Sequence, residues 1–260
     1  MSEMALDSSM GLISVIMAAY NAEKTISEAI NSVLQQTYAN IELIVIDDCS
    51  KDKTRSLVRQ FAARDTRVRL VVNEKNCGVS RTRLHGLQTA QGEWIAILDS
   101  DDAWHPEKLQ KQIELQAQTG AELLFTGSAF MDADGKKIDW YLHAPTTITY
   151  RQLLKQNLLS NSSALVKKEL YEKYYAIGDK MHEDFAIWLG ILRTGRKAYG
   201  VDEPLLIYRL APNSKSGNKI KAARMNWNTY RYIGLNPISA IYYECWYILN
   251  GLRKYKNLKR

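Results

Sequence analysis

The sequence predicts an α/β fold with a mostly parallel central sheet, helices on both faces and a helical C-terminal extension. Two patterns in the first half predict the sheet: short β-branched runs alternate with helical periodicity, and acidic residues stand directly after two of those runs. Near the C-terminus, apolar residues recur at helical spacing between Ile238 and Leu252, and this pattern predicts the extension.

The first half alternates between strands and helices. Short apolar runs predict the strands, and apolar side chains three and four residues apart predict the helices. In chain order these are a strand at 13–17, a helix at 26–34, a strand at 41–46, a helix around 57–62, a strand at 68–72, a helix from Ser80 to about Gln91, a strand at 94–98 and a helix from Pro106. Ser80 is the expected N-cap of the third helix. Such alternation is typical of a parallel sheet covered on both faces.

The second half alternates less regularly. Its predicted elements are strands at 123–131, 162–166 and 205–210, a short helix opened by a capping box at 149–152, a helix that begins just after Glu183 and Asp184, a polar basic loop at 211–219 and a final amphipathic helix. We therefore expect the sheet to be completed by segments that do not follow the strand–helix repeat.

Composition places the chain among ordinary globular proteins. It has 260 residues, 46% hydrophobic and 24% charged, enough to bury a core without disulfides. Cys49, Cys77 and Cys245 form no CxxC, which argues against a disulfide framework or a structural zinc site and fits a reducing compartment. No apolar run reaches about 18 residues, so no membrane-spanning helix is expected. Residues 1–10 carry no Lys or Arg and are interpreted as a tail rather than a secretory signal.

Charge is unevenly distributed along the chain. Residues 211–260 contain ten Lys and Arg but one acid, Glu244, whereas residues 1–130 are net negative. The acidic half argues against nucleic acid as a partner. The basic segment indicates an anionic partner, such as a membrane surface or a phosphate-bearing acceptor, and a solvated basic tail is the alternative.

Acidic residues follow two neighbouring predicted strands. Asp47 and Asp48 follow one, and Asp99, Asp101 and Asp102 follow another. Ligands of α/β sheets bind at the carboxyl ends of the strands, so we expect an acidic crevice at one edge. The alternatives are a helix cap or a receiver-type acidic pocket for the first pair, and an acidic turn that caps the next helix for the second group.

The ordered set of motifs resembles glycosyltransferase family 2, whose members have the GT-A fold. The matching segments are SVIMAAYN (14–21), SVLQQTY (32–38), ELIVIDD (42–48), NCGVS (76–80) with Arg83, GEWIAILDSDD (92–102), Glu183-Asp184 with Trp188, and Tyr208-Arg209. As a whole, the chain most resembles bacterial cell-surface polysaccharide enzymes of the teichuronic-acid and capsule type. The resemblance divides it into a tail at 1–10, a GT-A domain at 11–210, and a basic flexible loop with aromatic amphipathic helices at 211–260.

The resemblance implies an inverting, metal-dependent transfer of a sugar from a nucleotide diphosphate sugar, with UDP favoured. Asp101 would ligate Mn²⁺ or Mg²⁺ directly, Asp99 would approach the donor ribose or a metal-bound water, and Asp102 could share either task. Hard divalent cations prefer carboxylate oxygens and neutralise the charge that develops on a leaving diphosphate.

The resemblance also implies a binding site for the nucleotide. Asp48 would accept a hydrogen bond from the uracil imide, and Tyr20 would stack on the base, with Ala18 beside it. Arg83 could face the base or the pyrophosphate. Around Arg83 this chain has Thr-Arg-Leu, where the family usually has Ala-Arg-Asn. Arg81 is therefore a second candidate. The alternatives to these binding roles are a surface aromatic for Tyr20 and a solvated helix face for Arg83.

Asp184 is the expected catalytic base. Inverting transfer is a single displacement, in which a carboxylate on the acceptor side takes the proton of the attacking hydroxyl. An ordinary Asp is ionised at neutral pH, and the N-terminus of a helix stabilises the anion further. Glu183 and His182 are secondary candidates, and helix capping is the alternative for both carboxylates.

The implied acceptor is a hydroxyl of a cell-surface glycan or of a polyprenyl-linked oligosaccharide precursor. The predicted apolar stripe on the last helix consists of Ile238, Tyr242, Cys245, Trp246, Leu249 and Leu252. With the basic residues around it, this stripe suits a helix that lies on an anionic leaflet. Packing on the domain or on a second subunit is the alternative, so a homo-oligomer stays open. We expect a cytoplasmic protein, peripheral at the inner face of the bacterial plasma membrane.

Other functions predict different residues. A sugar-phosphate nucleotidyltransferase would carry a Gly-rich basic loop where this chain has the segment 18–21, and a dinucleotide oxidoreductase would carry GxGxxG. A glycoside hydrolase uses two carboxylates without a metal-binding Asp-x-Asp. A non-catalytic nucleotide-sugar-binding or scaffold subunit need not keep Asp48, Asp101 and Asp184 together.

Overall fold

The computed structural model describes residues 11–210 and 219–254. The strands are β1 (Ile13–Ala19), β2 (Ile41–Asp47), β3 (Val68–Val72), β4 (Trp94–Ile97), β5 (Ala103–Trp104), β6 (Leu123–Met131), β7 (Lys137–Leu142), β8 (Thr147–Ile148), β9 (Leu165–Lys167) and β10 (Ala198–Arg209). The helices are α1 (Ile26–Leu34), α2 (Thr54–Ala62), α3 (Val79–Thr89), α4 (Lys108–Thr119), α5 (Tyr150–Lys155), α6 (Lys168–Lys173), α7 (Glu183–Leu192), α8 (Lys219–Tyr232) and α9 (Pro237–Lys254). A 3-10 helix, Asn161–Ser163, precedes β9.

The described strands form one sheet in the order β3-β2-β1-β4-β9-β6-β10-β5, with β7 paired to β6 and β8 paired to β10. The four neighbours β3, β2, β1 and β4 are parallel, which confirms the predicted α/β fold and brings their carboxyl ends to one edge. β9 then runs antiparallel between β4 and β6. The residues before β9 therefore lie beside the residues that follow β4.

Both faces of the central strands β1, β2 and β4 are buried, as the uninterrupted apolar runs predict. Successive residues of β1 point to opposite faces. Ile16 packs in one core cluster with the apolar residues of α7. Val15 and Met17 pack in the other, with Ile26 and Ile30 of α1. The central strands are thus held from both sides, which gives the carboxyl edge a rigid support.

Several element boundaries differ from the expected ones. Helix α3 begins at Val79 because Gly78, at φ 82°, supplies the turn, so Ser80 is wrong as the cap and lies inside the helix. The segment expected as a strand from 162 to 166 is divided between the 3-10 helix and β9. The capping box of α5 is confirmed: Gln152 Oε1 accepts the Thr149 backbone N–H at 2.9 Å.

Helices α8 and α9 form the predicted C-terminal extension, which packs on α5 and α7. The Tyr230 hydroxyl donates to the Leu154 carbonyl at 2.8 Å. The Phe185 ring of α7 lies 5.9 Å from the ring centroids of Tyr230 and of Tyr247. One face of α9 therefore packs on the domain, as one of the two alternatives predicted.

The other face of α9 is exposed. Its apolar side chains recur at helical spacing: Ile238, Ile241, Tyr242, Cys245, Ile248 and Leu249. We call these six residues the outer face of α9. Trp246 is wrong as a member of the predicted stripe, because it turns toward α5, with Lys155 Nζ 5.0 Å from its ring centroid. The Leu252 side chain lies outside the described part of the chain.

Two predicted segments fall outside the described residues: the N-terminal tail at 1–10 and the basic loop at 211–219, except for Lys219, where α8 begins. The predicted boundary after residue 210 therefore stays a prediction. Within 11–210 and 219–254, no helix has both the length and the apolar character needed to cross a membrane.

Candidate active site

A cavity of about 620 Å³ opens at the carboxyl ends of β1 and β4. It is lined by Ala18, Tyr20, Asn21, Ala22, Thr25, Val79, Arg83, Asp99, Ser100, Asp101, Asn161, His182, Glu183, Asp184 and Tyr208. Eight of the predicted site residues are among these, although they come from four separate parts of the chain. Asp48, Asp102 and Arg81 are not. The fold thus gathers most of the predicted site into one concave surface.

The acidic turn after β4 separates its three carboxylates. Asp99 and Asp101 line the cavity, whereas Asp102 is 2% exposed and its Oδ1 accepts the Arg209 backbone N–H at 3.0 Å. Asp102 Oδ2 has no hydrogen-bond partner among the described residues. Asp102 therefore lies behind the cavity-lining pair, and its predicted share in metal or ribose binding stays a prediction.

Two acids of this turn, Asp101 and Asp102, have raised pKa values. Burial, followed by the negative charge of Asp99, raises the pKa of Asp101 to about 6, although Arg209 and Arg83 act in the opposite direction. Burial and the charges of Asp101 and Asp99 also raise the pKa of Asp102 well above its usual range. Clustered carboxylates of this kind are stabilised by a bound cation, which offsets their repulsion.

Arg209 fixes the position of the acidic turn. Its Nε donates to the Asp101 carbonyl at 2.9 Å, and its guanidinium also forms an ion pair with Glu28 of α1. Together with the Arg209 N–H bond to Asp102, these contacts tie the end of β10 to the turn after β4. Sequence reasoning assigned Arg209 no role. The signal that could have found it was its place in the Tyr208-Arg209 motif.

Arg83 links three elements beneath the cavity. It is 5% exposed, its Nη1 donates to Glu183 Oε1 at 2.8 Å, and its other amino group pairs with Asp99. Burial acts to lower the pKa of Arg83, but the charges of Asp99 and Glu183 outweigh it and raise that pKa, so the guanidinium stays charged. The alternative of a solvated helix face is therefore wrong for Arg83. A solvated helix face does describe Arg81, which is exposed on the same helix.

The two carboxylates that open α7 have different surroundings. Glu183 is 6% exposed and bound to Arg83. Asp184 is half-buried and lines the cavity. The N-cap position belongs to His182, so neither carboxylate occupies it, and the helix-capping alternative is wrong. The backbone N–H of His182 donates to Thr229 Oγ1 of α8 at 3.0 Å, which anchors the start of α7 to the extension.

Tyr20 and Ala18 lie at the end of the cavity formed by β1. Tyr20 is 48% exposed, so its ring is available to a ligand. The next residue, Asn21, has a φ of 50° and is held by the turn after β2: its N–H donates to Ser50 Oγ at 3.0 Å, and its Oδ1 accepts the Lys51 N–H at 2.9 Å. This turn fixes the backbone beside the tyrosine.

Asp48 supports the loop before α3. Its carboxylate accepts hydrogen bonds from Asn73 Nδ2 at 2.8 Å, Cys77 N at 2.9 Å and Gly78 N at 3.0 Å. Burial acts to raise the pKa of Asp48, but these hydrogen bonds outweigh it and the pKa is lowered. The carboxylate is 4% exposed and does not line the cavity. Its contact with a base stays a prediction.

Asp99 and Asp101 are the carboxylates that could hold a divalent cation. Among the described residues, no three His, Cys, Asp or Glu side chains are grouped to hold a metal by themselves. Magnesium is usually bound by one or two carboxylates together with substrate phosphates. Two cavity-lining carboxylates, one with a raised pKa, fit such a shared site.

The mixed sheet, with an acidic turn at the carboxyl edge of its parallel part, has the GT-A fold, which solved structures share. TarS 1-349 of S. aureus, solved with UDP-GlcNAc, has a TM-score of 0.69 at 21% identity, covering 88% of this chain and 69% of that chain. The mannosyltransferase PcManGT from Pyrobaculum calidifontis, solved with GDP-Man and Mn²⁺, has a TM-score of 0.66 at 19% identity, covering 87% of this chain and 66% of that chain.

Sequence comparison gives the family. Residues 14–175 match Glycosyl transferase family 2. The teichuronic acid biosynthesis glycosyltransferase TuaG of Bacillus subtilis (strain 168) is 37% identical over 244 residues, 94% of this chain and 97% of TuaG. The UDP-Glc:alpha-D-GlcNAc-diphosphoundecaprenol beta-1,3-glucosyltransferase WfgD of Escherichia coli is 36% identical over 254 residues, 96% of this chain and 98% of WfgD. This chain belongs to glycosyltransferase family 2 and is a glycosyltransferase, which confirms the resemblance in its motifs.

Proposed function

We propose that this enzyme transfers a sugar, with inversion, from a nucleotide diphosphate sugar to a hydroxyl of a lipid-linked glycan precursor in bacterial polysaccharide biosynthesis. One observation carries the proposal: Tyr20, the pair Asp99 and Asp101, and Asp184 line a single cavity. These side chains supply an aromatic surface for a base, carboxylates for a cation and a carboxylate for a proton, which are the three groups that the reaction needs.

The donor would lie along the edge of the sheet from β1 to β4. Its base would stack on Tyr20, and its diphosphate would reach Asp99 and Asp101, which would hold Mn²⁺ or Mg²⁺. A bound cation would neutralise charge on the leaving diphosphate. The ion pair with Arg83 holds the Asp99 carboxylate, and the contact with Arg209 holds the backbone of Asp101, before the donor binds. Such preorganisation lowers the cost of binding.

Asp184 would take the proton from the acceptor. The acceptor oxygen attacks the anomeric carbon, the bond from that carbon to the diphosphate oxygen breaks, and the hydroxyl proton passes to the Asp184 carboxylate. The nucleoside diphosphate leaves with the bonding electrons. The Glu183–Arg83 pair at 2.8 Å fixes the first turn of α7, and so the backbone that carries Asp184. Glu183 therefore acts as a positioning residue in this scheme.

The names of relatives support the classes of donor and acceptor. WfgD is named for UDP-Glc and a diphosphoundecaprenol-linked sugar. TarS was solved with UDP-GlcNAc, and PcManGT with GDP-Man and Mn²⁺. These names favour UDP as the nucleotide, a divalent cation as the cofactor and a polyprenyl-linked acceptor for this chain.

The outer face of α9 supports a peripheral contact with membranes. Ile238 is 82% exposed and Ile241 56% exposed, although the opposite face of the same helix packs on the domain. The segment 211–260 carries ten basic residues and one acid, Glu244, whose carboxylate oxygens are buried. Exposed apolar side chains in a segment whose sequence is net positive suit the anionic leaflet in which a polyprenyl-linked acceptor would reside.

Nucleotide binding with and without metal tests the donor site. We expect UDP with Mn²⁺ to raise the Tm of the parent protein, and EDTA to abolish the rise. Asp101→Asn should lose this metal-dependent rise because it removes an anionic ligand. Its Tm without ligand should be unchanged or higher, since the variant removes a partly buried carboxylate that the charge of Asp99 repels. The control Asp139→Asn changes an exposed carboxylate on β7 and should behave like the parent. An Asp101→Asn variant that binds UDP and Mn²⁺ like the parent refutes the assignment.

A further inference from the structure

Asn161 lines the cavity, and its side-chain amide is buried and has no hydrogen-bond partner among the described residues. The residue is 6% exposed, and both its Oδ1 and its Nδ2 lack such a partner. Buried amides in proteins are nearly always hydrogen-bonded, because leaving their donors and acceptors unpaired is unfavourable. An unpaired amide on a residue that lines an active-site cavity therefore indicates a ligand that supplies the missing partners once the side chain turns into the cavity.

The backbone around Asn161 is firmly held. Ser162 Oγ accepts the Asp99 N–H at 3.2 Å, and the Ser162 carbonyl accepts the Trp104 Nε1–H at 2.7 Å. One residue further, the Ser163 carbonyl accepts from Gln112 Nε2 at 3.0 Å. These bonds fix the 3-10 helix against the acidic turn and against α4. The amide is therefore unpaired although its backbone is well determined.

The sheet order gives Asn161 its place along the cavity. Tyr20 follows β1, Asp99 and Asp101 follow β4, and Asn161 precedes β9, the next strand in the sheet. Asn161 thus lies beyond the acidic turn, on the side away from Tyr20. A donor with its base at Tyr20 and its diphosphate at the acids would place its sugar at Asn161.

We propose that the Asn161 amide binds hydroxyl groups of the sugar that is transferred and contributes to the choice of that sugar. The carbonyl oxygen accepts from one hydroxyl and the amino group donates to a second oxygen, a pairing that vicinal sugar hydroxyls can complete. This inference rests on the proposed function, since it presumes a nucleotide-sugar donor in the cavity. It adds a sugar-binding residue to the base, metal and proton-transfer residues already proposed.

The test compares binding of a nucleoside diphosphate with binding of its sugar form. Calorimetry with Mn²⁺ measures the Kd for UDP, UDP-glucose, UDP-N-acetylglucosamine, GDP and GDP-mannose. In Asn161→Leu and Asn161→Ala we expect the Kd for UDP or GDP to stay at the parent value. The Kd for the sugar that the parent binds best should rise about tenfold, the usual effect of losing hydrogen bonds in a buried site.

A matched control and thermal stability separate sugar binding from a structural role. Asn157 lies four residues upstream, outside the cavity, and its Oδ1 accepts the Leu159 N–H at 3.1 Å. Asn157→Leu should lower the Tm and leave all Kd values unchanged. Asn161→Leu should keep or raise the Tm, because it replaces an unpaired buried amide with an apolar group of similar size.

Two results would overturn the inference. If the Asn161 variants weaken UDP and the UDP-sugar equally, or weaken neither, then Asn161 does not bind the sugar. If the parent protein binds none of the five nucleotides, the proposed function itself fails and the inference fails with it. Binding measurements on the parent protein alone reveal a failure of the proposed function. The two failures are therefore distinguishable.

Discussion

At the scale of single residues, Asp184 carries the proposed chemistry. Asp184→Asn keeps the size of the side chain but removes the proton acceptor. We expect transfer to a lipid-linked acceptor, or slow donor hydrolysis in its place, to fall by roughly 10²–10⁴, the usual contribution of a positioned base. The Kd for UDP with Mn²⁺ should be unchanged, because Tyr20, Asp99 and Asp101 follow other elements. Parental turnover in this variant would remove Asp184 from the mechanism and reopen Glu183 and His182.

Glu183, its neighbour, should behave differently. Glu183→Gln leaves Arg83 with Asp99 as its remaining anionic partner at a buried site. We expect the free energy of unfolding to fall by about 1–3 kcal/mol, because a buried charge loses part of its compensation. Denaturant unfolding measures this loss, and Asp184→Asn is the matched comparison that should retain parental stability. Equal stability of both variants would contradict a positioning role for the Glu183–Arg83 pair.

At the scale of elements, Glu244 makes the docking of α9 depend on pH. Neither carboxylate oxygen has a hydrogen-bond partner among the described residues, and burial raises the pKa of Glu244 to about 7. An unfolded Glu titrates near about 4.3, so the folded protein keeps this proton to higher pH than the unfolded chain. The stability that this protonation provides is complete below the unfolded pKa and is lost as the pH rises to about 7.

Glu244→Gln should therefore flatten the pH dependence of the Tm. Between about pH 5 and about pH 8, the parent should lose stability with rising pH relative to the variant, and the difference should be largest at the alkaline end. The control is Glu114→Gln, which changes an exposed glutamate on α4 and should keep the parental slope. If Glu244→Gln has the same slope as the parent, the carboxylate is already ionised in the folded protein.

The sequence predicted the elements that show clear periodicity and missed those that do not. Strands β1, β2 and β4 are apolar runs buried on both faces, so a short window of residues identifies them. The bounds of helix α8 within the predicted helical extension were not assigned, since its buried positions include Asn226 and Thr229 beside Met225 and Tyr230, which obscures the amphipathic pattern. Strands β5 and β8 have two residues each, too few to show an alternation.

The candidate site, too, could be predicted only where a local sequence pattern marked its residues. Sequence order placed the acids at one edge of the sheet, because the carboxyl ends of parallel strands meet there. It could not show that Asp102 turns away from the cavity, since its partner Arg209 is 107 residues away in the chain. Asn161 carried no pattern at all, because its significance depends on the antiparallel pairing of β9 with β4.

At the scale of the whole molecule, the C-terminal extension connects the proposed catalytic helix to the surface. Thr229 of α8 holds the backbone of His182 at 3.0 Å, and Tyr230 and Tyr247 cover Phe185 of α7. The start of α7, where Asp184 lies, is therefore supported by the same helices that expose the outer face of α9. An acceptor held at a membrane would approach a protein whose proposed base is supported by the same segment that we propose contacts the lipid.

This arrangement predicts that membrane binding and donor binding can be separated. The double variant Ile241→Ser and Ile248→Ser removes two exposed apolar side chains from the outer face of α9, 56% and 48% exposed. We expect about tenfold or greater loss of binding to vesicles of phosphatidylcholine with phosphatidylglycerol, because less apolar area enters the lipid. The Tm and the Kd for UDP should be unchanged, since neither side chain belongs to the core or to the cavity.

Lipid charge and oligomeric state decide between the alternatives for this surface. The parent should bind vesicles of phosphatidylcholine alone much more weakly, and added salt should weaken its binding to the anionic vesicles, because the basic residues of 211–260 contribute electrostatically. Light scattering should find the parent monomeric without lipid. A parent dimer that the double variant converts to monomer, with no binding to anionic vesicles, would instead assign the outer face of α9 to a second copy of the chain.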